Sequence, residues 1–160
     1  MANAQRWSGP SDLHLHSSRS DGTQPPAEVL SSAYEYGLRT VALTDHDTTA
    51  GWDEATGAAQ ALGMTLLPGM EFSTRYQGGS THMLAYLFDP DHEGILAERE
   101  KIRADRLSRA ERIVRNIRAD YTLDWEDVLA QRTEDASVGR PHIADAMIAR
   151  GIVKSREEAF

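Results

Sequence analysis

The sequence predicts an α/β fold: a largely parallel sheet built from alternating strands and helices, followed by a helical subdomain. Three observations lead there. Short strand-like runs alternate with helical runs over residues 11–88, prolines and glycines stand at the boundaries of those runs, and from about residue 92 the chain turns helical and charged. In folds of this class, sites form at the carboxyl ends of the strands.

Each element has its own signal. "DLHLH" alternates polar and apolar residues and reads as a strand. "PPAEVLSSAYEYG" reads as a helix, with prolines at its start and Gly37 as its stop. "TVALTDHD" is a second strand, and "TTAGWDEATGAAQALG" a second helix, weakened by Gly51 and Gly57 and ended near Gly63. "MTLLPGMEFSTRY" and "STHMLAYLF" are further strands, and the "QGG" between them suggests a hairpin. "AEREKIRADRLSRAERIVRNIRAD" is one long helix with Ile102, Ala110, Ile113, Val114 and Ile117 along an apolar stripe. "DWEDVLAQR" is a shorter helix, and "RPHIADAMIARG" another, with Pro141 in its first turn and Gly151 at its end. Ser155 and Glu158 have the spacing of a capping box, which predicts a helix start close to Phe160. Residues 11–91 are therefore read as the α/β part and 92–160 as the helical subdomain.

Composition narrows the chemistry. The 160 residues are 40% hydrophobic and 26% charged, the balance of an ordinary soluble domain, and no apolar run approaches a membrane span. "MANAQRWSGP" lacks the apolar segment of a secretory signal, so the expected compartment is the cytoplasm. Without cysteine there is no disulfide and no thiolate ligand, and any metal must be held by nitrogen and oxygen. The net charge of −8 gives an unfavourable bulk field for a phosphate or nucleic-acid partner. An anionic substrate then needs local positive charge, from bound cations or a basic patch.

The candidate residues lie on the predicted strands. In "DLHLH", alternation puts Asp12, His14 and His16 on one face and Leu13 and Leu15 on the other, where the leucines can bury against helices. Asp12 is then in line to hold a histidine's second nitrogen, as metal sites usually require. Two partly exposed histidines on an edge strand are the plainer alternative. Asp21 follows in the "SRSDG" loop, where on its own it would be a turn residue. His46 ends the second strand between Asp45 and Asp47, a place that also suits a helix cap. Glu71 lies between Met70 and Phe72 in a segment that reads as buried, and a buried carboxylate must be paired, metal-bound or protonated. His82 opens an apolar strand, where a satisfied core histidine is the common case. Each residue alone is ambiguous. Their order along successive strands suggests a preformed multinuclear site.

With those residues in place, "DLHLHSSRSDG", "LTDHDT", "PGMEFS" and "THMLAY" resemble the successive motifs of the polymerase and histidinol phosphatase (PHP) domain family. "GRPHIADAMIARG" resembles the helical insertion of that family's stand-alone phosphoesterase branch, whose members act on nucleoside monophosphates or the 5′ ends of short oligonucleotides. The resemblance covers residues 11–151. It implies the first part of a distorted seven-stranded β/α barrel with two or three divalent metals. It further implies that His14 and His16 bind one metal, that Glu71 bridges it to a second held by His82, and that Asp21 and His46 hold a third. Asp12 and Asp47 are the candidate catalytic carboxylates beside the metals, with Asp45 as a further supporting one. Family members carry a later His-Pro pair and Asp-x-His pair that this sequence lacks. The expectation is an N-terminal portion whose missing ligands come from the rest of the fold, from a partner chain, from water, or not at all.

Histidine and carboxylate ligands suit zinc, manganese or iron without choosing among them. A divalent ion lowers the pKa of bound water, to about 7 for zinc in favourable sites, and neighbouring ions clamp phosphate oxygens. Together these predict phosphoester hydrolysis by a metal-activated hydroxide, on a nucleotide or short oligonucleotide. "GRPH" opens a helix, where free N–H groups favour anions, and Arg140 and His142 would add donors there, with Ser18 as a further substrate contact. The alternative for Arg140 is a pair with Glu134 or Asp135. The arginines at 103, 106, 109, 112, 115 and 118 drift round their helix behind acidic residues such as Asp105 and Glu111. They read as a solvated, ion-paired flank rather than a nucleic-acid surface. Two rival functions remain. A metal-dependent amidohydrolase would want a bridging lysine, and Lys101 and Lys154 lie in the helical region. A non-catalytic metal-binding module is the other.

Overall fold

A computed structural model describes residues 9–132 and 138–160. In chain order they form β1 (Ser11–Leu15), α1 (Pro26–Glu35), β2 (Thr40–Leu43), α2 (Trp52–Leu62), β3 (Thr65–Tyr76), β4 (Gly79–Tyr86), α3 (Glu93–Ile117), α4 (Trp125–Leu129), α5 (Arg140–Ala149) and α6 (Arg156–Ala159). The punctuation works as the residue types require. Pro26 opens α1 without needing an N–H, and Gly37 follows that helix at φ 91°. Gly63 ends α2 in the left-handed conformation at φ 65°, with its N–H on the carbonyl of Gln60. Gln77 and Gly78, at φ 49° and 82°, make the two-residue turn that joins β3 to β4.

The strands lie in the order β1-β2-β3-β4. β1, β2 and the first four residues of β3 pair in parallel, and β3 pairs antiparallel with β4 from Gly69 to Tyr76. Gly69 sits at the change of partner. A Cβ there would lie 2.9 Å from both Thr44 Cγ2 and Tyr86 Cδ1, so the crossing of three elements needs a glycine. The sheet curls: the Tyr86 hydroxyl of β4 donates to the Leu13 carbonyl of β1 at 2.9 Å, joining the two ends of the strand order. The architecture is thus the expected α/β class, a mixed sheet curled as a half-barrel.

Among the described residues three apolar clusters hold it. Leu30 and Ala33 of α1 and Ala55 and Ala59 of α2 pack on Val41 and Leu43, and all four residues of β2 are buried. Met70 and Phe72 of β3 receive Ile102 of α3. Ala110 and Val114 of α3 meet Leu123, Val128, Ile143 and Ala146 in a cluster of the helices and their connections. Side chains cap the helices: His92 Nδ1 accepts from Gly94 N–H at 3.1 Å, and Ser155 Oγ from Glu158 N–H at 3.2 Å.

Two local expectations are corrected. β2 ends at Leu43, so Thr44 to Asp47 leave the strand, and the backbone of His46 meets β3 in an isolated bridge to Glu71. Leu13 is 39% exposed rather than buried, while Leu15 packs on the first cluster. The register of β1 on β2 shifts between Asp12 and Leu15, which breaks the strict alternation that predicted one buried face for both leucines.

This difference gives a stability test. Leu43→Ala should cost about 2–5 kcal/mol in urea unfolding, because it opens a hole beneath α1 and α2, whereas Leu13→Ala should change stability by no more than about 0.5 kcal/mol.

Candidate metal centre

Three segments converge at the ends of the parallel strands. The first is β1 with its following loop. His14 Nε2 lies 2.6 Å from Glu71 Oε2, and His16 Nε2 lies 3.0 Å from the same oxygen. The loop after His16 is tied down by Asp45, whose buried carboxylate accepts from Ser17 N–H at 2.7 Å, Ser17 Oγ at 2.6 Å and Ser20 Oγ at 2.7 Å. Gly22 folds back so closely that a Cβ would come within 2.7 Å of the His16 carbonyl oxygen. These constraints leave Asp21 3.5 Å from His16 Nδ1 and 3.5 Å from His46 Nε2.

The second segment is the loop 44–48. His46 sits between two aspartates with separate tasks, Asp45 holding the Ser17–Ser20 turn and Asp47 accepting from Ser73 N–H at 2.7 Å and Ser73 Oγ at 2.8 Å. The third is the β3–β4 hairpin. Glu71, 5% exposed, places Oε1 2.6 Å from His82 Nδ1 of β4 and Oε2 3.9 Å from His46 Nδ1. The four imidazoles form a continuous array, with ring centroids 5.0 Å apart for His14–His16, 4.7 Å for His16–His46 and 4.9 Å for His46–His82.

The electrostatics suit cation binding. Burial lowers the His46 pKa to about 4 against the opposing pull of Asp21 and Glu71, so its imidazole is neutral at pH 7, the form a ligand requires. Its Nδ1 is buried without a hydrogen-bond partner. Burial pushes the Glu71 carboxyl up, but hydrogen bonds from His14 and His82 and the nearby imidazoles outweigh it and leave the group below its usual value, hence ionised. Burial raises Asp45 despite its three hydrogen bonds from Ser17 and Ser20.

Among the described residues three groups offer ligand atoms within 4.8 Å of one another: His14, His16 and Glu71; His16, Asp21 and His46; His46, Glu71 and His82. The N···O separations within them run from 2.6 Å, where His14 and His82 are hydrogen-bonded to Glu71, through 3.0 and 3.5 Å at His16 and Asp21, to 3.9 Å between His46 and Glu71. A neutral buried imidazole, an ionised buried carboxylate and an unsatisfied ring nitrogen fit a divalent cation.

All six residues expected as ligands meet here. Their grouping differs in two respects: His46 belongs with Glu71 and His82 as well as with Asp21, and His16 belongs with Asp21 and His46 as well as with His14 and Glu71. The structure places other expected residues elsewhere. Asp12 accepts the His14 backbone N–H at 3.0 Å rather than holding a ring nitrogen. The Asp47 carboxylate is taken up by Ser73 and by Arg106, whose Nε lies 2.9 Å away. Ser18 and His142 line a cleft of about 380 Å³ beside Asp21, with Thr23, Gln131, Arg132, Asp145 and Arg156. Arg140 does not line it, and its guanidinium stands over the Phe160 ring at 5.3 Å. Its alternative partners, Glu134 and Asp135, lie outside the described residues. Arg106 departs from the expected solvated flank, and neither Asp105–Arg109 nor Glu111–Arg115 closes to an ion pair among the described residues. Ser17, Ser20 and Ser73 fall inside the motifs "DLHLHSSRSDG" and "PGMEFS" and Arg106 inside the arginine series, but neither they nor Arg156 were singled out for the places they take here.

Comparison with known proteins shows the family. The family model described as "PHP domain" matches residues 12–129. The chain is 36% identical over 149 residues to a 5′-3′ exoribonuclease of Haemophilus influenzae, covering 93% of this chain and 54% of that protein. It is 32% identical over 156 residues to a 3′,5′-nucleoside bisphosphate phosphatase of Chromobacterium violaceum, covering 93% of this chain and 53% of that one. A solved structure from Bifidobacterium adolescentis, provisionally described as a metal-dependent phosphoesterase, superposes with a TM-score of 0.89 at 43% identity, over 96% of this chain and 55% of the other. The chain thus spans about half the length of the curated relatives it matches.

Two substitutions test the centre. Glu71→Ala should reduce bound divalent ions to one or none per chain by elemental analysis after reconstitution, with the far-UV circular dichroism retained. Gly22→Ala should displace Asp21 by pushing on the His16 carbonyl, and weaken binding of the ion at His16, Asp21 and His46 in a calorimetric titration.

Proposed function

Because the chain belongs to the PHP domain family, we propose that it provides the metal-binding half of a phosphoesterase, one that hydrolyses phosphate esters of nucleotides or short oligonucleotides. The observation that carries this reading is the convergence of three ligand groups on His16, His46 and Glu71, beside a cleft large enough for a phosphorylated ligand. Divalent ions supply a water acidified towards neutrality and positive charge for phosphate oxygens. Zinc, manganese and iron all suit the donor set.

The protein's own residues set the geometry around that chemistry. Glu71 contributes negative charge at the point shared by two groups, and Asp21 does so for the third. His142 accepts the Gly139 N–H on Nδ1 at 3.0 Å, which puts its proton on Nε2 as a donor to the cleft. Burial lowers its pKa, so it is a neutral donor. Arg156 is held by Asp145 on the same wall, which stiffens the cleft where α5 and α6 meet. The names of the two curated relatives, an exoribonuclease and a nucleoside bisphosphate phosphatase, support nucleotide-type substrates for this reading.

The amidohydrolase alternative finds less support. Lys101 pairs with Glu98 in an exposed position, Lys154 lies between α5 and α6, and the centre of the cluster is a glutamate. No helix among the described residues is long and apolar enough to cross a membrane. A cytoplasmic place of action, where nucleotides and RNA ends are found, belongs to this proposal.

Chelation should abolish hydrolysis of a nucleoside monophosphate or a 5′-phosphorylated short oligonucleotide, and Mn²⁺, Zn²⁺ or Fe²⁺ should restore it. A reconstituted chain that holds two ions and turns over neither substrate would favour a binding module. His142→Ala should raise KM roughly ten-fold, the worth of one hydrogen bond to a charged group, at unchanged metal content. An unaltered KM would remove the cleft wall from the substrate site.

A further inference from the structure

Asp47 belongs to none of the ligand groups, although it adjoins His46, and its surroundings give it another task. Its backbone takes the left-handed conformation at φ 56°, which residues other than glycine seldom adopt without compensation. The compensation is visible. Its side chain is fully buried, accepts both the N–H and the hydroxyl of Ser73, and lies 2.9 Å from Arg106 Nε. That same Nε–H is shared with Ser73 Oγ at 3.1 Å. Asp47 N–H also donates to the Glu71 carbonyl at 3.1 Å, and Glu71 N–H to the Asp45 carbonyl at 3.3 Å. The loop carrying His46 is therefore stitched to the strand carrying Glu71 by backbone bonds on one side and by the Asp47–Ser73 pair on the other.

Arg106 closes this pair from outside the sheet. It projects from α3 four residues after Ile102, whose side chain packs on Met70 and Phe72, the residues on either side of Glu71. The helix thus touches β3 twice across one short stretch, through an apolar contact at Met70 and Phe72 and through the guanidinium at Ser73. Arg99 also feels the Asp47 charge, but Arg106 is the cation in contact with it, and a buried carboxylate that loses its contact cation is costly; without Arg106, Asp47 is expected to turn towards water and take the His46 loop with it.

We propose that Arg106 is a positioning residue of the metal centre, which locks the Asp47–Ser73 pair from α3 and so sets the spacing between His46 and Glu71. The group of His46, Glu71 and His82 contains both ends of that spacing, and the group of His16, Asp21 and His46 shares the loop residue that the lock holds. The inference rests on the reading of these residues as a metal centre, and it separates α3 from the solvent-facing role its arginine series suggests.

The test is calorimetric titration of the substrate-free chain with Mn²⁺, using Arg106→Ala, Arg106→Lys, Ser73→Ala and, as a control on the same helix, Arg109→Ala. Arg106→Ala should weaken binding about 10–100-fold, the usual effect of removing a group that orients a ligand, with circular dichroism unchanged. Arg106→Lys should recover part of the loss, because it keeps the charge but not the planar fork. Ser73→Ala should shift affinity in the same direction by less, and it carries the test should Arg106→Ala not fold. Arg109→Ala should bind as the unaltered chain does. If the unaltered chain binds no Mn²⁺, the metal reading itself fails and takes this role with it. If the unaltered chain binds and Arg106→Ala and Ser73→Ala bind equally well, the positioning role alone is overturned. A raised KM in Arg106→Ala with unchanged Mn²⁺ affinity would also overturn it, by making Arg106 a substrate contact.

Discussion

The Glu71 carboxylate is the constraint around which the rest of the structure is arranged. It is ionised and nearly excluded from water, a state that a protein interior tolerates only with close compensation. Three imidazoles provide it at close range, His14 and His16 at the end of β1 and His82 from β4, while the neutral His46 of the loop after β2 stands 3.9 Å away. The strand change at Gly69 makes this possible. Before it β3 runs parallel to β2, after it β3 runs antiparallel to β4, and Glu71 sits just beyond, within reach of both. The curl that brings Tyr86 to Leu13 brings β1 round to the same point.

Around that carboxylate, aspartates divide into candidate ligands and braces according to surroundings rather than residue type. Asp21 faces two imidazoles. Asp45 and Asp47, either side of His46, face serines and Arg106 and hold backbone in place. A brace of this kind fixes a ligand's position without competing for the ion, which is how a site reaches geometry that its ligands alone would not keep. The cleft by His142 lies against Asp21, so the wall that would hold a phosphate and the ion that would act on it share a residue.

Much of this was legible in the sequence, and the rest was not for identifiable reasons. The strand–helix alternation, the proline and glycine boundaries and the hairpin were readable because they follow from local backbone chemistry. The convergence of His14, His16, Asp21, His46, Glu71 and His82 was suggested by their order along successive strands, although each residue alone was ambiguous. The tasks of Asp12, Asp47 and Arg106 were hidden because each depends on what lies across the fold. Arg106 sits in a series whose other members suit a solvated face, and nothing in a helical pattern tells which arginine turns inward beside Ile102. Leu13 misled because a register shift, invisible in five residues, undid the alternation. The neighbour of Arg140 was hidden for the same reason as that of Arg106, since its guanidinium stands over the ring of Phe160.

The central claim is a place in space: cations held between residues that are dozens of positions apart in the chain. Anomalous scattering from crystals soaked in Mn²⁺ addresses it most directly. The account predicts density peaks enclosed by His14, His16 and Glu71 and by His46, Glu71 and His82, so that one carboxylate touches both. Peaks found only at surface carboxylates, or none in a crystal whose His14, His46, Glu71 and His82 are ordered, would contradict it.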